Sequence, residues 1–371
     1  MGASSLFIAF YQPWLSFRMF VITALLVLFN VLPIFFILVF PLRKIDLDQL
    51  PDKRKVIICV AARNEENHIA KCLDGLLALD YPVRDFEIRV ADDGSSDGTF
   101  GIIKKYADTF KHVHVVQVDF SDTRTKGKAR ALAQLTDNLS CDFLAFTDAD
   151  VVVSRNWLTN MVGAIGSNGL VSGTTLIDGN SSFQTWQAMD WLLGQVQIHF
   201  VSRLFRSSPT AMGNNMLVEH NAYKEIGGYG TLSFSVTEDV CLHKAFITQG
   251  YCPQMLFGKS FVGLTQAECS WFDLVNQRLR WANGVKNIPL VMVFFLGLQS
   301  LFFPLILLLF FFNWKFSASI FFTKVVLNVV VLRRENPNKD KWKLWVMMLF
   351  DVYQFVLSFR LALGLLFSKS I

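Results

Sequence analysis

Three carboxylate clusters stand where apolar segments of this sequence end: Asp92-Asp93, Asp148-Ala149-Asp150 and Glu238-Asp239. Carboxylate oxygens bind Mg²⁺ and Mn²⁺, and an ionised carboxylate can also take a proton from a reacting hydroxyl. Such clusters suit a site that holds a diphosphate through a divalent cation and activates a hydroxyl. Each cluster also has a simpler interpretation, because a carboxylate can cap a turn or stabilise the first turn of a helix.

Two further segments could meet a nucleotide. Residues Ala91 to Thr99 combine carboxylates that can accept a ring N–H with glycines for a tight turn and a helix start that favours anions. Lys126-Gly127-Lys128 precedes a predicted helix, so its ammonium groups could reach phosphate oxygens. Considered alone, the first segment is also an ordinary polar turn, and the second is also a solvated basic loop.

The most informative spacing is that of Gln277, Arg280 and Trp281, which fall at i, i+3 and i+4 on one face of a predicted helix. The opposite face carries apolar residues: Phe272, Val275 and Leu279. Arg280 offers a rigid cationic fork for a pyrophosphate, and Trp281 offers a flat surface for a sugar ring or an acceptor. The alternative is a plain amphipathic helix at an interface.

Alternating strands and helices must position these residues. The predicted strands are Lys55–Ala61, Phe86–Val90, Val113–Val118 and Asp142–Phe146. The predicted helices are one capped by Asn64, with Glu65 and Glu66 in its first turn, then Thr99–Phe110 and Lys128–Leu135. This alternation implies a mostly parallel sheet with helices on both faces. Ligands bind beyond the carboxyl ends of such strands, so Asp92-Asp93 and Asp148 to Asp150 should share one edge.

Two long apolar runs indicate that part of the chain lies in a membrane. The chain has 52% hydrophobic and only 18% charged residues, against about 25% charged in soluble domains. Met19 to Phe40 and Ile288 to Phe312 contain no charged residue, and each can cross a hydrocarbon core as a helix of roughly 20 residues. A cleaved signal peptide is the alternative for the first run, but its apolar region would span only about 7 to 15 residues.

Basic residues indicate the orientation of these segments. They follow the first apolar run at Arg43, Lys44, Lys53, Arg54 and Lys55, with Arg18 before it. A second basic group, Arg333, Arg334 and the stretch Lys339 to Lys343, separates two later apolar segments, Phe316 to Leu332 and Leu344 to Phe367. Because cytoplasmic loops carry an excess of Lys and Arg, the polar middle and this later loop should both be cytoplasmic.

Each of the two later segments contains a charge that a membrane would disfavour. Lys324 and Asp351 both lie about 10 to 12 Å from the basic loop at roughly 1.5 Å per residue, so they reach the same depth. An unpaired ion there would be costly, which predicts that Lys324 and Asp351 pair across the helical hairpin. The alternative is that Lys324 faces a lipid phosphate.

The remaining composition argues against other functions. The six cysteines never form a C-x-x-C pair, which indicates reduced core residues, and the six histidines show no ligand spacing. The net charge is +5, but the sequence has no stripe of basic residues interleaved with aromatic ones. The charge therefore indicates attraction to an anionic membrane surface and argues against a nucleic-acid partner.

Taken in order, the motifs resemble those of the membrane-bound members of glycosyltransferase family 2, over about residues 52–290. The resemblance rests on Ala61-Ala62-Arg63-Asn64-Glu65-Glu66, Asp92-Asp93-Gly94-Ser95, the D-x-D of Asp148 and Asp150, Thr237-Glu238-Asp239, and the Q-x-x-R-W of Gln277 to Trp281. The family includes cellulose, chitin and hyaluronan synthases and ceramide glucosyltransferases. It implies an α/β fold: a cytoplasmic GT-A domain, which is a Rossmann-like nucleotide-diphospho-sugar transferase, plus α-helical transmembrane segments.

The resemblance also implies a role for each motif. The donor-binding residues would be Asp92 and Asp93 at the uracil, and Lys128, Asp148, Gln277 and Arg280. Asp148 and Asp150 would hold Mg²⁺ or Mn²⁺, and the catalytic residues would be Asp239, as the base, and its neighbour Glu238. The acceptor would meet Trp281, Asn214 and Asn215. Cys241 stands where relatives often carry an acidic residue, a difference that leaves the base itself intact.

The expected organisation is an N-terminal transmembrane anchor at 1–45, a GT-A domain at 52–287 ending in an amphipathic interfacial helix, and a C-terminal region at 288–371 with about three membrane helices. The expected reaction is an inverting, metal-dependent transfer from a UDP-sugar to a hydroxyl of a membrane lipid, at the cytoplasmic face of a plasma or bacterial inner membrane. The alternative is a processive polysaccharide synthase with a short membrane domain. A catalytically silent subunit is the third hypothesis, and the complete set of acidic motifs argues against it.

Overall fold

The computed structural model describes residues 18–39, 54–284, 301–336 and 342–367. The chain divides into two compact units, which we call the α/β unit (Leu42–Ile288) and the helical unit (Met1–Pro41 with Pro289–Ile371). Some predicted features lie outside the described residues: Phe40, the basic residues Arg43, Lys44 and Lys53, residues 288–300, and the basic residues Lys339 and Lys341.

The elements are as follows in chain order. The helical unit begins with α1 (18–26), a π-helical turn (Val27–Val31) and α2 (Leu32–Val39). The strands of the α/β unit are β1 (Val56–Ala62), β2 (Phe86–Asp92), β3 (Val113–Gln117), β4 (Phe143–Asp148), β5 (Val152–Val153), β6 (Leu170–Ser172), β7 (Thr174–Asp178), β8 (Asn215–Glu219), β9 (Gln254–Met255) and β10 (Val262–Gln266). Its helices are α3 (Ile69–Leu77), α4 (Thr99–Thr109), α5 (Gly127–Leu135), α6 (Trp157–Ile165), α7 (Ser182–Phe205), α8 (His220–Glu225), α9 (Gly228–Thr231), α10 (Glu238–Thr248) and α11 (Trp271–Gly284). The helical unit resumes with α12 (Phe302–Phe312), α13 (Trp314–Glu335), α14 (Leu344–Met348) and α15 (Phe350–Phe367).

The main sheet of the α/β unit has the strand order β3-β2-β1-β4-β8-β6-β9. Strands β1 to β4 pair in parallel, whereas β8 is antiparallel to both β4 and β6. The prediction of a mostly parallel sheet is therefore confirmed. Ala62 of β1 pairs with Asp92, and Ala61 pairs with Asp148, so the two carboxylates end their strands at one edge, as predicted.

Both faces of this sheet are covered, which explains why β1 is apolar almost throughout. Ile58 and Val60 belong to a buried cluster with residues of α3 and α6, and Ile57 and Cys59 belong to a second cluster with residues of α5 and α10. Side chains alternate between the faces of a strand, so an apolar run such as Val56–Ala62 is expected only where helices lie on both sides.

The start of α3 differs from the prediction. Asn64 does not cap this helix; it has a φ of 58°, and its Oδ1 accepts hydrogen bonds from the backbone N–H and the hydroxyl of Ser96. Glu65 and Glu66 lie in the preceding turn, and the helix begins at Ile69. Asn64 therefore joins the end of β1 to the loop after β2.

A buried ion pair links two helices within the helical unit. Lys324 of α13 bonds Asp351 of α15, and their side chains are only 9% and 1% exposed, so the predicted pairing is confirmed. Asn328 Nδ2 lies 3.3 Å from each oxygen of Asp351, and Lys324 Nζ lies 4.3 Å from the ring centre of Phe302. The cation thus contacts the carboxylate of Asp351 and the ring of Phe302, and the amide of Asn328 lies against the carboxylate.

The helical unit also fixes the relative direction of two of its helices. Arg334, near the end of α13, donates to the carbonyl oxygens of Ile37 and Leu38 near the end of α2. These two helices therefore end on the same side of the unit. Among the described residues, α13 is the one helix whose length and apolar composition would allow it to cross a membrane, and α12 is a shorter apolar helix.

Candidate active site

The carboxylate of Asp239 lies in the first turn of α10, as predicted. Gly213 N donates to its Oδ2 at 2.9 Å, and Val240 N donates to its Oδ1 at 2.9 Å. Burial, and then the charge of Glu238, raise the pKa of Asp239 to about 6, although Gly213 N–H and Lys128 oppose this shift. A carboxylate with this pKa is largely ionised at neutral pH and basic enough to take a proton from a bound hydroxyl.

Lys128, at the start of α5, joins two of the carboxylate clusters. Its Nζ lies 2.5 Å from Asp148 Oδ1 and 3.2 Å from Glu238 Oε1. Burial disfavours its ammonium form, but the charges of Asp148 and Glu238 outweigh burial and raise the pKa of Lys128. Two motifs that are far apart in sequence therefore meet around one cation.

The second carboxylate of the D-x-D motif is held from another strand. Thr265 of β10 donates a hydrogen bond to Asp150 Oδ2 at 2.6 Å. Burial, and then the charge of Asp148, raise the pKa of Asp150, so a cation between the two carboxylates would relieve their repulsion.

The described residues contain no group of three or more His, Cys, Asp and Glu side chains able to hold a metal ion. Asp148 and Asp150 alone supply two hard oxygen donors. Mg²⁺ is commonly held by one or two carboxylates and completes its shell with phosphate oxygens and water. The pair therefore fits a divalent cation that arrives together with a diphosphate.

Asp92 and Asp93 stand at the end of β2, at the same edge of the sheet as Asp148, and both are 5% exposed. Oδ1 of each is buried without a hydrogen-bond partner, although Arg130 lies 3.6 Å from Asp93 Oδ1. Arg130 in turn lies under the half-exposed ring of Phe120, 4.4 Å from its centre. Gly94, with a φ of 71°, allows the ring of Phe120 to lie against the backbone, because a Cβ at this position would lie 2.9 Å from that ring. Because neither oxygen accepts a hydrogen bond within the described part of the protein, both are suited to the N–H groups of a ligand.

The two asparagines predicted at the acceptor behave differently. Asn215 is fully buried: its Oδ1 accepts from Trp157 Nε1, and its Nδ2 donates to the carbonyls of Thr174 and Phe261. No polar atom of its side chain remains for an acceptor, so we correct its assignment to a structural one. Asn214 is half-buried, and its Oδ1 accepts from a threonine hydroxyl of β7.

The Gln-Arg-Trp residues lie on α11, as expected. Gln277 Nε2 donates to Glu268 Oε1 at 2.6 Å, while Arg280 is exposed. Burial raises the pKa of Glu268, and the charge of Arg280 opposes this shift. The expected apolar face is only partly formed, because Val275 is buried whereas Phe272 is 73% exposed.

Three contributors were missed by the sequence analysis: Thr265, Glu268 and Arg130. Thr265 comes from β10, whose pairing with β5 and β7 has no local sequence signal. Glu268 precedes Gln277 by nine residues, and a carboxylate so close to a motif was a signal that could have been used.

Comparisons with known proteins relate the chain to glycosyltransferases. A family model described as glycosyl transferase family 2 matches residues 57–227, and one described as glycosyl transferase family group 2 matches residues 143–368. Beta-monoglucosyldiacylglycerol synthase of Trichormus variabilis is 28% identical over 238 residues, which are 62% of this chain and 48% of that protein. The 4,4'-diaponeurosporenoate glycosyltransferase of Staphylococcus aureus is 27% identical over 215 residues, 56% of each chain. The chain thus spans about half the length of these curated relatives.

A solved structure shares the fold. A mannosyltransferase from Pyrobaculum calidifontis, in complex with GDP-Man and Mn²⁺, aligns with a TM-score of 0.57 and 17% identity, over 95% of this chain and 99% of its own. The strand order, the shared edge of the carboxylates and this likeness all describe a GT-A fold. Because the family match at 143–368 covers more than half of the 371 residues, the chain belongs to the family 2 glycosyltransferases.

Proposed function

We propose that this glycosyltransferase moves a sugar from a UDP-sugar to a hydroxyl of a membrane lipid, with inversion at the anomeric carbon and with Mg²⁺ or Mn²⁺. The observation that carries the proposal is Asp239, a half-buried carboxylate held by two backbone N–H groups, with its pKa raised to about 6. Its neighbour Glu238 shares the ammonium of Lys128 with Asp148 of the D-x-D motif. The names of the two relatives, a glucosyldiacylglycerol synthase and a diaponeurosporenoate glycosyltransferase, support a lipid acceptor.

The proposed mechanism is a single displacement. Asp239 takes the proton of the acceptor hydroxyl while the hydroxyl oxygen attacks the anomeric carbon and the bond from that carbon to the diphosphate breaks. Lys128 and Arg280 place positive charge near the departing UDP, and α11 carries Trp281 for the acceptor. A divalent cation bound by Asp148 and Asp150 would neutralise charge on the leaving diphosphate.

We assign the recognition of the donor's nucleobase to Asp92 and Asp93. Their Oδ1 atoms accept no hydrogen bond from the residues that the structure describes and can accept the ring N–H of uracil. Guanine also offers N–H donors, and the solved mannosyltransferase carries GDP-Man. Competition binding of UDP against GDP decides between the two, and tighter binding of GDP would overturn the choice of uracil.

Asp150→Ala should weaken donor binding and remove most of its dependence on the cation. The substitution leaves a single carboxylate at the proposed cation site, so the diphosphate loses its bridge to the protein. We expect the affinity for UDP in the presence of Mn²⁺ to fall by at least about tenfold, as for the loss of a charge-assisted contact. UDP binding that stays equally sensitive to Mn²⁺ would contradict the site. Asp108→Ala, at a carboxylate exposed on α4, is the matched control.

Gly213→Ala should displace the base without touching the nucleotide site. A Cβ at this position would lie 2.8 Å from Asp239 Cβ and 3.1 Å from its Oδ2. Because a misplacement of about 1 Å can cost about 10²-fold, we expect turnover to fall by roughly 10- to 100-fold while UDP affinity stays within about twofold. Gly101→Ala serves as the control, since a Cβ there meets nothing within 4 Å. Similar losses in both variants would argue against the assigned role.

The membrane placement is part of the proposal. The apolar helix α13, and the common side on which α2 and α13 end, support an integral membrane protein in which the chain leaves both helices on one side of the membrane. The positive-inside rule then favours a cytoplasmic location for this side and for the catalytic residues between the two helices in the sequence.

Product analysis tests the function as a whole. Purified full-length protein is incubated with UDP-sugars, Mn²⁺ and extracted membrane lipids, and UDP release is measured together with the masses of the lipid products. One sugar added per lipid is the expected result. A polymer would identify the processive alternative, and no UDP release with any donor would overturn the proposal.

A further inference from the structure

The helix α7 carries a second Gln-x-x-charged-Trp spacing, and its tryptophan, Trp191, packs against Trp281 of the Q-x-x-R-W motif on α11. On α7 it consists of Gln187, Asp190 and Trp191. On α11 it consists of Gln277, Arg280 and Trp281. Both sets occupy positions i, i+3 and i+4, so each presents its residues on one helical face. The two sets differ in charge, acidic on α7 and basic on α11.

Gln187 fixes the segment that leads into α11. Its Nε2 donates to the carbonyl of Glu268 at 3.0 Å, and its Oε1 accepts from the N–H of Glu268 at 3.0 Å. The side chain of Glu268 then accepts from Gln277 at 2.6 Å. Gln187 is only 1% exposed, so this connection between the two helices starts from a buried side chain whose amide oxygen and nitrogen are both hydrogen-bonded.

Arg278 connects the remaining members of the two sets. Its Nη2 donates to Asp190 Oδ2 at 3.1 Å. Its guanidinium carbon lies 4.4 Å from the ring centre of Trp281 and 5.5 Å from that of Trp191. The indoles themselves are 5.0 Å apart with their planes at 41°. One face of Trp281 is therefore covered by a cation whose position is set by Asp190.

The polar atoms of this cluster are not arranged as in ordinary packing. Arg278 is 10% exposed at its side chain, yet its Nε is buried without a hydrogen-bond partner, and so is Nε1 of Trp191. Buried donors in a purely structural cluster are normally satisfied, because each unsatisfied N–H is costly. Such a cost is more often accepted where the geometry of a functional site requires it.

We infer that Asp190, Trp191 and Arg278 are positioning residues that fix the plane of Trp281, and thereby decide how often the activated sugar passes to the lipid acceptor and how often to water. This inference rests on the proposed function. Arg278 suits this role better than lysine would, because a planar guanidinium stacks on indole rings while it bonds a carboxylate.

The test compares Arg278→Met, Arg278→Lys, Asp190→Asn and Asn276→Ala in the full-length protein. Asn276 is exposed on α11 outside the cluster, so its variant is the matched control. In Arg278→Met we expect the acceptor KM to rise about tenfold and the ratio of transfer to UDP-sugar hydrolysis to fall about tenfold, because the stack and the ion pair are both lost. Arg278→Lys and Asp190→Asn should each lower the transfer-to-hydrolysis ratio less than Arg278→Met does. Asn276→Ala should keep the ratio of the parent protein.

Two readouts separate positioning from a loss of folding. UDP affinity and the melting temperature should remain near the parental values in Arg278→Lys and Asp190→Asn. The exciton signal of the Trp191–Trp281 pair in circular dichroism should weaken in Arg278→Met, and Trp191→Phe provides the reference spectrum without the pair.

Two results would overturn the inference: an unchanged transfer-to-hydrolysis ratio in Arg278→Met, or an equal loss of transfer and hydrolysis in every cluster variant. Failure of the proposed function has a different signature, because the parent protein itself would then transfer no sugar to lipid.

Discussion

Asp239→Asn should lower the rate of sugar transfer by about 10²- to 10⁴-fold, the range that general-base catalysis contributes. The amide cannot take the acceptor proton, but its oxygen can still accept one of the bonds now made by Gly213 N and Val240 N. UDP binding should therefore stay within about threefold of the parent, since the proposed mechanism places the altered group at the acceptor hydroxyl and not at the nucleotide. Single-turnover transfer and UDP titration measure the two effects, and transfer within tenfold of the parent would contradict the role of Asp239.

The pH profile gives an independent check on the same carboxylate. The pKa of Asp239 is raised to about 6, so the base takes up a proton as the pH decreases through that value. We therefore expect kcat/KM for transfer, which reports the ionisation of the free enzyme, to fall over the same range. Glu238→Gln removes a negative charge that raises this pKa, so it should move the acidic limb to lower pH. An acidic limb that stays in place would show that another group titrates.

The strands that carry the site were predictable because their signals are local. Val56–Ala62 and Phe143–Asp148 are short apolar runs that end in small or acidic residues, and burial on both faces of a parallel sheet requires such runs. The start of α3 was not predictable in this way. Asn64 has the composition of a helix cap, but Ser96, 32 residues later, bonds its side chain instead, and local sequence carries no information on that contact.

The same distinction explains the candidate site. The positions of Asp148 and Asp239 were predictable because each ends or begins an element, and topology then brings Asp148 and Glu238, the neighbour of Asp239, together around Lys128. Asn215 was misassigned because neighbouring residues of an extended segment point to opposite sides, and only the structure shows that Asn215 is the inward member of its pair with Asn214. Asp190 and Trp191 were overlooked because their importance depends on α7 packing against α11.

Lys324→Met should strongly reduce the yield of folded protein in membranes. The substitution leaves Asp351, which is 1% exposed, as a buried carboxylate without its cation, and breaking a buried pair typically costs about 3 to 5 kcal/mol. Asp351→Asn alone leaves the buried ammonium with the ring of Phe302 and a neutral amide, so it should reduce the yield as well. Size-exclusion chromatography of fluorescently tagged protein in mild detergent measures the yield. Arg360→Met, at an exposed charge on α15, is the control and should behave like the parent.

The paired variants decide what the ion pair is for. Lys324→Met with Asp351→Asn leaves no buried charge, so it should recover most of the yield, as replacement of a whole buried pair often does. The exchange of charges, Lys324→Asp with Asp351→Lys, should recover less, because the new carboxylate would face the ring of Phe302 that now lies 4.3 Å from the ammonium. Asn328 can serve either arrangement, since its Oδ1 is buried without a partner and could accept from a lysine at position 351. If the yield of Lys324→Met is normal while transfer is lost, and neither double variant restores transfer, the pair does not hold the helices together, and Lys324 acts on the acceptor lipid instead.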